Sequence, residues 1–216
     1  MASHPVENSP CIRPVDVNRD LIPIADLIEL CFAPHMDEDG RDYIRHIRRA
    51  AEDPTLRRMV TGPNERVSLP IAGYVWEEDG RIIGNLSLIP FYRQGRWRTM
   101  IANVAVHPDQ RRRGVGRALT QKALQHIREH RVSEAWLQVR ADNPPAHALY
   151  LSLGFKERCR RTTWELYNND APMPSLALVE VAGRPARDWP RQQTWLRRIY
   201  PPEVAWNLGF EAERLR

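Results

Sequence analysis

Ile101-Ala102-Asn103-Val104-Ala105-Val106-His107-Pro108-Asp109-Gln110-Arg111-Arg112-Arg113-Gly114-Val115-Gly116-Arg117-Ala118-Leu119 is the stretch on which the fold turns. Its first third is apolar and β-branched, which predicts a buried strand ending at Val106, because Pro108 has no N–H to offer a ladder. Arg111 to Gly116 then carries two glycines that let a backbone come close to a ligand. Val115, Leu119, Ala123 and Ile127 follow at helical spacing. The expected unit is strand, glycine-bearing loop, helix.

The first N–H groups of such a helix lack intrahelical partners and lie at the positive end of its dipole, so the junction suits a phosphate or diphosphate. Arg111, Arg112, Arg113 and Arg117 add positive charge beside it. A surface turn with solvated arginines would look the same over so short a stretch. The dinucleotide pattern Gly-x-Gly-x-x-Gly is excluded because its third position is Leu119, and the Gly-Lys-Ser/Thr of a P-loop is missing.

Further on, Trp136 to Glu157 contains Asn143, Ala146, Tyr150, Gly154 and Phe155. With both motifs in view the chain resembles the GNAT superfamily of N-acetyltransferases. The first motif matches Arg/Gln-x-x-Gly-x-Gly/Ala after Val-x-Pro, here Arg111 to Gly116 after Val106-His107-Pro108. The second matches Asn-x-x-Ala-x-x-x-Tyr-x-x-x-Gly-Phe. The resemblance covers residues 11 to 168 and implies acetyl-coenzyme A as cosubstrate, with no metal. Val104, Ala105, Val106, Arg111 to Arg117, Asn143 and Tyr150 would bind it.

In that family the Tyr matching Tyr150 protonates the departing sulfur as a general acid, and the Asn matching Asn143 holds the pantetheine side or the tetrahedral region through its amide. An amine would attack the thioester directly, its developing oxyanion steadied by a backbone N–H near Val104 or Val106. By the residues alone, Tyr150 could equally be a core aromatic packed with Leu149 and Phe155. Nucleophilic catalysis by a cysteine finds no supporting His/Asp constellation. A subgroup acting on protein N-termini carries Leu-Glu-Val-Arg where this chain has Leu137-Gln138-Val139-Arg140, and Gln138 takes no proton near neutral pH. Glu77, Glu78, His107 or a water chain remain as candidate bases. Asn85 and Asn103, with Glu77 and Gln138, are the candidate lining of the acceptor groove. The other reading is an acyl-coenzyme A binding or regulatory module that holds the ligand without catalysis.

Composition sets the outer limits. The 216 residues, 42% of them hydrophobic, allow one sizeable α/β domain plus an appendage. The net charge of +5 favours an anionic ligand. The basic residues are dispersed, however, and no aromatic-basic platform points to nucleic acid. Three cysteines without a Cys-x-x-Cys argue against a disulfide or zinc framework and for a reducing, cytoplasmic setting. No apolar run reaches the length of a membrane span, and no signal peptide is expected.

In chain order, residues 1–10 read as a disordered leader, 11–182 as the main domain and 183–216 as a Trp-rich extension. Ile12 to Val15 is a short strand. A helix capped by Asn18 or Asp20 follows, with Ile24, Leu27, Ile28 and Cys31 on its apolar face, and a second places Tyr43, Ile44, Ile47 and Ala51 before Asp53-Pro54. Strands over 67–77, 81–91 and 97–106 form a meander whose first turn, Asp79-Gly80, suits type I′. A strand over 135–139, a helix capped by Asn143 with Pro144 at its first position, and strand-like residues from Phe155 through 166 complete a mixed sheet: an antiparallel meander plus a parallel β-α-β unit, flanked by helices. Residues 168–174 read as a linker and 176–181 as a last strand. Trp189, Trp195 and Trp206 call for a surface to bury against: the main domain, a second protomer in a homodimer, or a further domain.

Overall fold

The computed structural model describes residues 11–53, 55, 72–93, 96–160, 162 and 185–200. The expected leader, the start of the first meander strand before Ala72, the strand-like 164–166, the linker, the last strand over 176–181 and the aromatic residues beyond Tyr200 lie outside the described residues. The chain divides into two compact units, 1–153 and 154–216.

The first unit holds a five-stranded sheet of β1 (Cys11–Pro14), β2 (Gly73–Glu78), β3 (Arg81–Arg93), β4 (Arg96–Val106) and β5 (Ala135–Leu137), side by side in that order. The first three pairings are antiparallel and the last is parallel, as the sequence order predicts. Asp79 and Gly80, at φ of 50° and 72°, make the β2–β3 turn with both central residues left-handed, as type I′ requires.

Helices α1 (Leu21–Phe32) and α2 (Glu38–Glu52) cover one face. Leu21, Ile24, Leu27 and Ile28 of α1 and Ile44, Ile47 and Ala50 of α2 form a buried cluster with Val75 and Ala105 of the sheet. The expected Ala51 is only partly buried at its margin. Helix α3 (Val115–Glu129) buries Val115, Leu119, Ala123 and Ile127, as its periodicity predicts. It packs over Gly84, whose neighbour Asn85 pairs with Ala105 and Val75. Side chains alternate along a strand, so α3 takes the sheet face opposite α1 and α2. Helix α4 (Pro144–Ser152) completes the unit, started by Asn143, whose side chain accepts from Ala146 N at 3.2 Å, and followed by Gly154 at φ 90°.

The structure departs from expectation in several places. Asp20 does occupy the N-cap of α1, but its carboxylate makes no cap bond. It accepts from the Arg13 guanidinium at 2.6 and 2.9 Å and from Asp16 N at 2.7 Å, because a buried carboxylate gains more from a bidentate cation than from one amide. Strand β5 stops at Leu137 rather than Val139 and is half-buried, as the parallel ladder ends there. Residues 155–160 form no strand. Lys156, Glu157, Arg158 and Arg160 are charged and exposed, and Arg160 pairs locally with Glu157 at 2.6 Å, a pattern that disfavours a ladder. In the second unit the described secondary structure is a single 3-10 turn, Ala186–Asp188, and helix α5 (Trp189–Ile199), on which Trp195 and Ile199 are exposed.

Candidate active site

The β4–α3 junction is built largely from backbone. After Val106 the chain makes a short 3-10 turn, Pro108–Gln110, and enters α3 through Gly114, which has no side-chain cap. Arg112 at φ 67° and Gly114 at φ 85° are left-handed, with Arg113 at negative φ between them. Alternating hands of this kind turn successive amides into an anion-binding concavity, here continuous with the N-terminus of a helix fifteen residues long. A Cβ built on Gly114 meets nothing within 4 Å, so this glycine answers to its φ rather than to crowding. Val115, Gly116 and Arg117 then open the helix.

Of the four arginines expected to add charge, three have protein partners. Arg111 donates to Val106 O at 3.2 Å, Arg113 pairs with Glu78 at 2.9 Å and also reaches Gln110, and Arg117 donates to Ser152 Oγ at 2.8 Å. Arg112 is exposed on the loop. The Arg117–Ser152 bond, with Leu149 lying beside Gly116, docks α4 against the start of α3. Tyr150 therefore rides on a helix fastened to the glycine loop. It is 8% exposed, and burial pushes its phenol up to about 12, so it holds its proton through the neutral range.

Strand β4 supplies the other wall. Its parallel pairing with β5 ends at Ile101 opposite Leu137, while β4 runs on to Val106, so the two strands part above that pair. Over the same residues β4 is irregular against β3: Asn85 faces Ala105 and Ser87 faces Ala102, leaving Asn103 and Val104 as a bulge. Asn103 has φ 50°, rare for a residue other than glycine and costly by roughly 1–3 kcal/mol. Its side-chain amide donates to Tyr43 Oη of α2 at 2.7 Å and to Ser87 Oγ at 3.3 Å, and its carbonyl accepts from Asn85 Nδ2 at 3.0 Å. Asn85 is fully buried, and its Oδ1 has no hydrogen-bond partner among the described residues. Val104 and Val106 are half-buried on this wall, whereas Ala105 belongs to the α1–α2 core and contributes backbone only.

The structure thus gathers the glycine loop, the free-running end of β4 and the Tyr150 helix. Of the other candidates, Glu78 and His107 lie at the glycine loop with protein partners of their own, and Glu77 and Gln138 lie away from it. Glu77 accepts from Arg13 at 2.6 Å and Arg19 at 3.3 Å on the β1 side of β2, and Glu78 is held by Arg113. His107 accepts from Asp109 N at 3.3 Å, and Gln138 is exposed just beyond β5. Asn143 precedes α4 rather than lying on it, so its direction follows from the cap bond and not from helical phase with Tyr150. Among the described residues no group of three metal-ligating side chains occurs and no helix is long and apolar enough to cross a membrane.

Sequence reasoning missed Tyr43 and Ser87 as partners of Asn103. It also missed Cys31, whose thiol donates to Val106 O at 3.3 Å. Burial pushes that thiol up against the opposing pull of Arg111. Ser87 had a signal, a second polar residue two positions from Asn85 on an otherwise apolar strand face. Tyr43 had none, since it sits in the apolar repeat of its helix.

The chain matches the family model for the acetyltransferase (GNAT) family over residues 30–155. It is 45% identical over 62 residues to the ribosomal protein bS18-alanine N-acetyltransferase of Escherichia coli, 29% of this chain and 42% of that enzyme, so it spans less than half the length of that relative. It is 34% identical over 99 residues to an N-alpha-acetyltransferase of Sulfurisphaera tokodaii, 40% of this chain and 57% of the relative. Among solved structures, an N-acetyltransferase of the same family from Ralstonia eutropha superposes with TM-score 0.54 at 21% identity, covering 73% of this chain and 99% of that one, and shares the fold. The mixed sheet, the glycine loop at the head of α3 and the matched family model together make this chain a member of the GNAT acetyltransferase family.

Proposed function

We propose that the protein is an acetyl-coenzyme A-dependent N-acetyltransferase acting on a primary amine by direct attack. The observation that carries the reading is the docking of α4, with its buried Tyr150, onto the head of α3 through Arg117–Ser152. A diphosphate held by the amides of 112–117 would leave the thioester end to run along the parted edge of β4. There the N–H near Val104 can donate a hydrogen bond to the carbonyl oxygen as negative charge develops on it.

In the step itself the amine nitrogen bonds to the acetyl carbon as the carbon–sulfur bond breaks. Tyr150 gives its proton to the departing sulfur, the amine's surplus proton leaves to solvent, and Tyr150 takes a proton back from solvent, so no net proton is gained or lost. Positioning supplies much of the rate, since it replaces a bimolecular encounter with a held geometry. The two curated relatives act on α-amino groups by their names, yet Gln138 replaces the carboxylate that resemblance would put beside such an amine. Asn85 is fully buried and Asn103 turns its side chain to Tyr43 and Ser87, so neither lines an acceptor groove, and the acceptor class is taken as primary amines in general.

The test is thiol release from acetyl-coenzyme A across a panel of amines: peptides with free N-termini, lysine peptides, amino acids and polyamines. Turnover with one class and a thermal shift with acetyl-coenzyme A are expected. A thermal shift without turnover on any amine would favour the binding-module reading, and no shift at all would remove both.

A further inference from the structure

Peptide 103–104 is held at several points. Asn85, buried in the sheet, spends its amide NH2 on the Asn103 carbonyl, and only the nitrogen of an amide can donate to a carbonyl, so the network fixes its orientation. The Asn103 side chain is gripped in turn by Tyr43 Oη from α2 and by Ser87. Two unfavourable features are kept in place: a left-handed non-glycine residue in a strand, and a buried Asn85 Oδ1 without a partner among the described residues. Neither helps the core. No peptide bond here is cis, and a trans peptide points its C=O and N–H in opposite directions. With the Asn103 carbonyl drawn to the Asn85 side chain, the Val104 N–H is turned away from that side chain.

We infer that Asn85, Asn103 and Tyr43 are positioning residues, a clasp from β3 and α2 that aims the Val104 amide at the thioester carbonyl. The inference rests on the transferase reading above and adds to it a named set of groups, none of which touches the reacting atoms. It also ties α2 to the reacting centre: anything that lifts Tyr43 off Asn103 would release the bulge.

The test uses the full chain and two variants. Asn103→Gly keeps the left-handed backbone without strain but removes the side-chain grip. Tyr43→Phe removes only the hydroxyl, so it serves if the first variant folds poorly. Three readouts are taken: coenzyme A affinity by calorimetry, kcat and KM by thiol release, and the infrared carbonyl band of bound acetyl-coenzyme A carrying carbon-13 at the carbonyl. The expected result is a loss in kcat on the order of 10- to 100-fold at nearly unchanged coenzyme A affinity, with the band moving back toward its position in water. The double variant should lose little more than the worse single one, because both break one linkage. An unshifted band with unchanged kcat, or a fall in kcat matched by the fall in folded fraction, would overturn the clasp and leave the transferase reading standing. Absence of both turnover and a bound carbonyl band in the unaltered protein would instead remove the transferase reading, and the clasp with it.

Discussion

Gly84 of β3 lies directly under Val115, the first residue of α3: a methyl group added to Gly84 would come within 2.7 Å of Val115 Cγ1 and 2.9 Å of Leu119 Cδ1. The missing side chain is what lets α3 sit close to the sheet, and α3 carries the glycine loop at its head. The packing of the sheet and the position of the glycine loop are therefore coupled through Gly84.

Gly84→Ala should destabilise the protein by about 1–3 kcal/mol, the usual cost of overfilling a packed interior. Because the displaced atoms belong to the first two turns of α3, coenzyme A affinity should fall as well. Urea unfolding and calorimetry on the same variant check the pair of effects. Lost stability with full affinity would show that the loop is independent of this contact.

Gly114 and Gly116 should respond differently to alanine. At Gly114 the new Cβ has open space but φ is 85°, so Gly114→Ala should cost ~1–2 kcal/mol through the backbone alone. Gly116 is helical, and its Cβ would meet only ordinary contacts at 3.6 and 3.7 Å, so Gly116→Ala should leave the free protein as stable or slightly more so. If Gly116 is needed to let the diphosphate approach, coenzyme A binding should still weaken roughly tenfold, ~1.4 kcal/mol. Comparing thermal unfolding with calorimetry separates the two glycines.

Tyr150→Phe should reduce kcat by about 10²- to 10⁴-fold, the range for loss of a general acid, with little change in coenzyme A affinity. Burial raises the phenol to about 12, so the neutral, proton-bearing form persists through the range of ordinary assays. The pH–rate profile should thus show no alkaline fall from Tyr150 below about pH 11. A fall nearer neutrality that vanishes in Tyr150→Phe would contradict the assignment.

Asp20 and Arg13 should dominate acid sensitivity among the described residues. Burial by itself raises the Asp20 carboxyl, but hydrogen bonds from Arg13 and Asp16 N outweigh it, and the net direction is down. A group whose folded pKa is depressed stabilises the fold above its unfolded value, and that contribution is lost as pH falls through the carboxylate range toward the folded value. Asp20→Asn should flatten the acid limb of the stability curve. It should also cost about 1–3 kcal/mol at neutral pH, since Arg13 would lose its bidentate partner and keep only Glu77 opposite. Stability against pH for both proteins tests the sign and the size.

Most of the architecture followed from local rules. Asp79-Gly80 sets a turn by its tolerance of positive φ, the apolar repeat through Val115, Leu119, Ala123 and Ile127 sets a helix and its buried face, and Asn143-Pro144 starts another. These depend on residues within a turn or two of one another, so pattern alone suffices. The failures were equally local in cause: charged residues after Phe155 kept that segment out of a strand, and Arg13, brought in from β1, took the Asp20 carboxylate away from its cap.

By itself, then, the sequence determined the order of the described elements, the glycine loop and the helix that carries Tyr150, because each is encoded by neighbours in the chain. Only the tertiary structure decided which polar groups meet. Tyr43 from α2, Ser87 and Asn85 from β3 and Asn103 from β4 converge on one bulge, and Glu77 and Glu78 are drawn off to Arg13, Arg19 and Arg113. Hydrogen bonds and ion pairs between side chains depend on distances that strand register and helix packing set, and no periodicity in the chain records them.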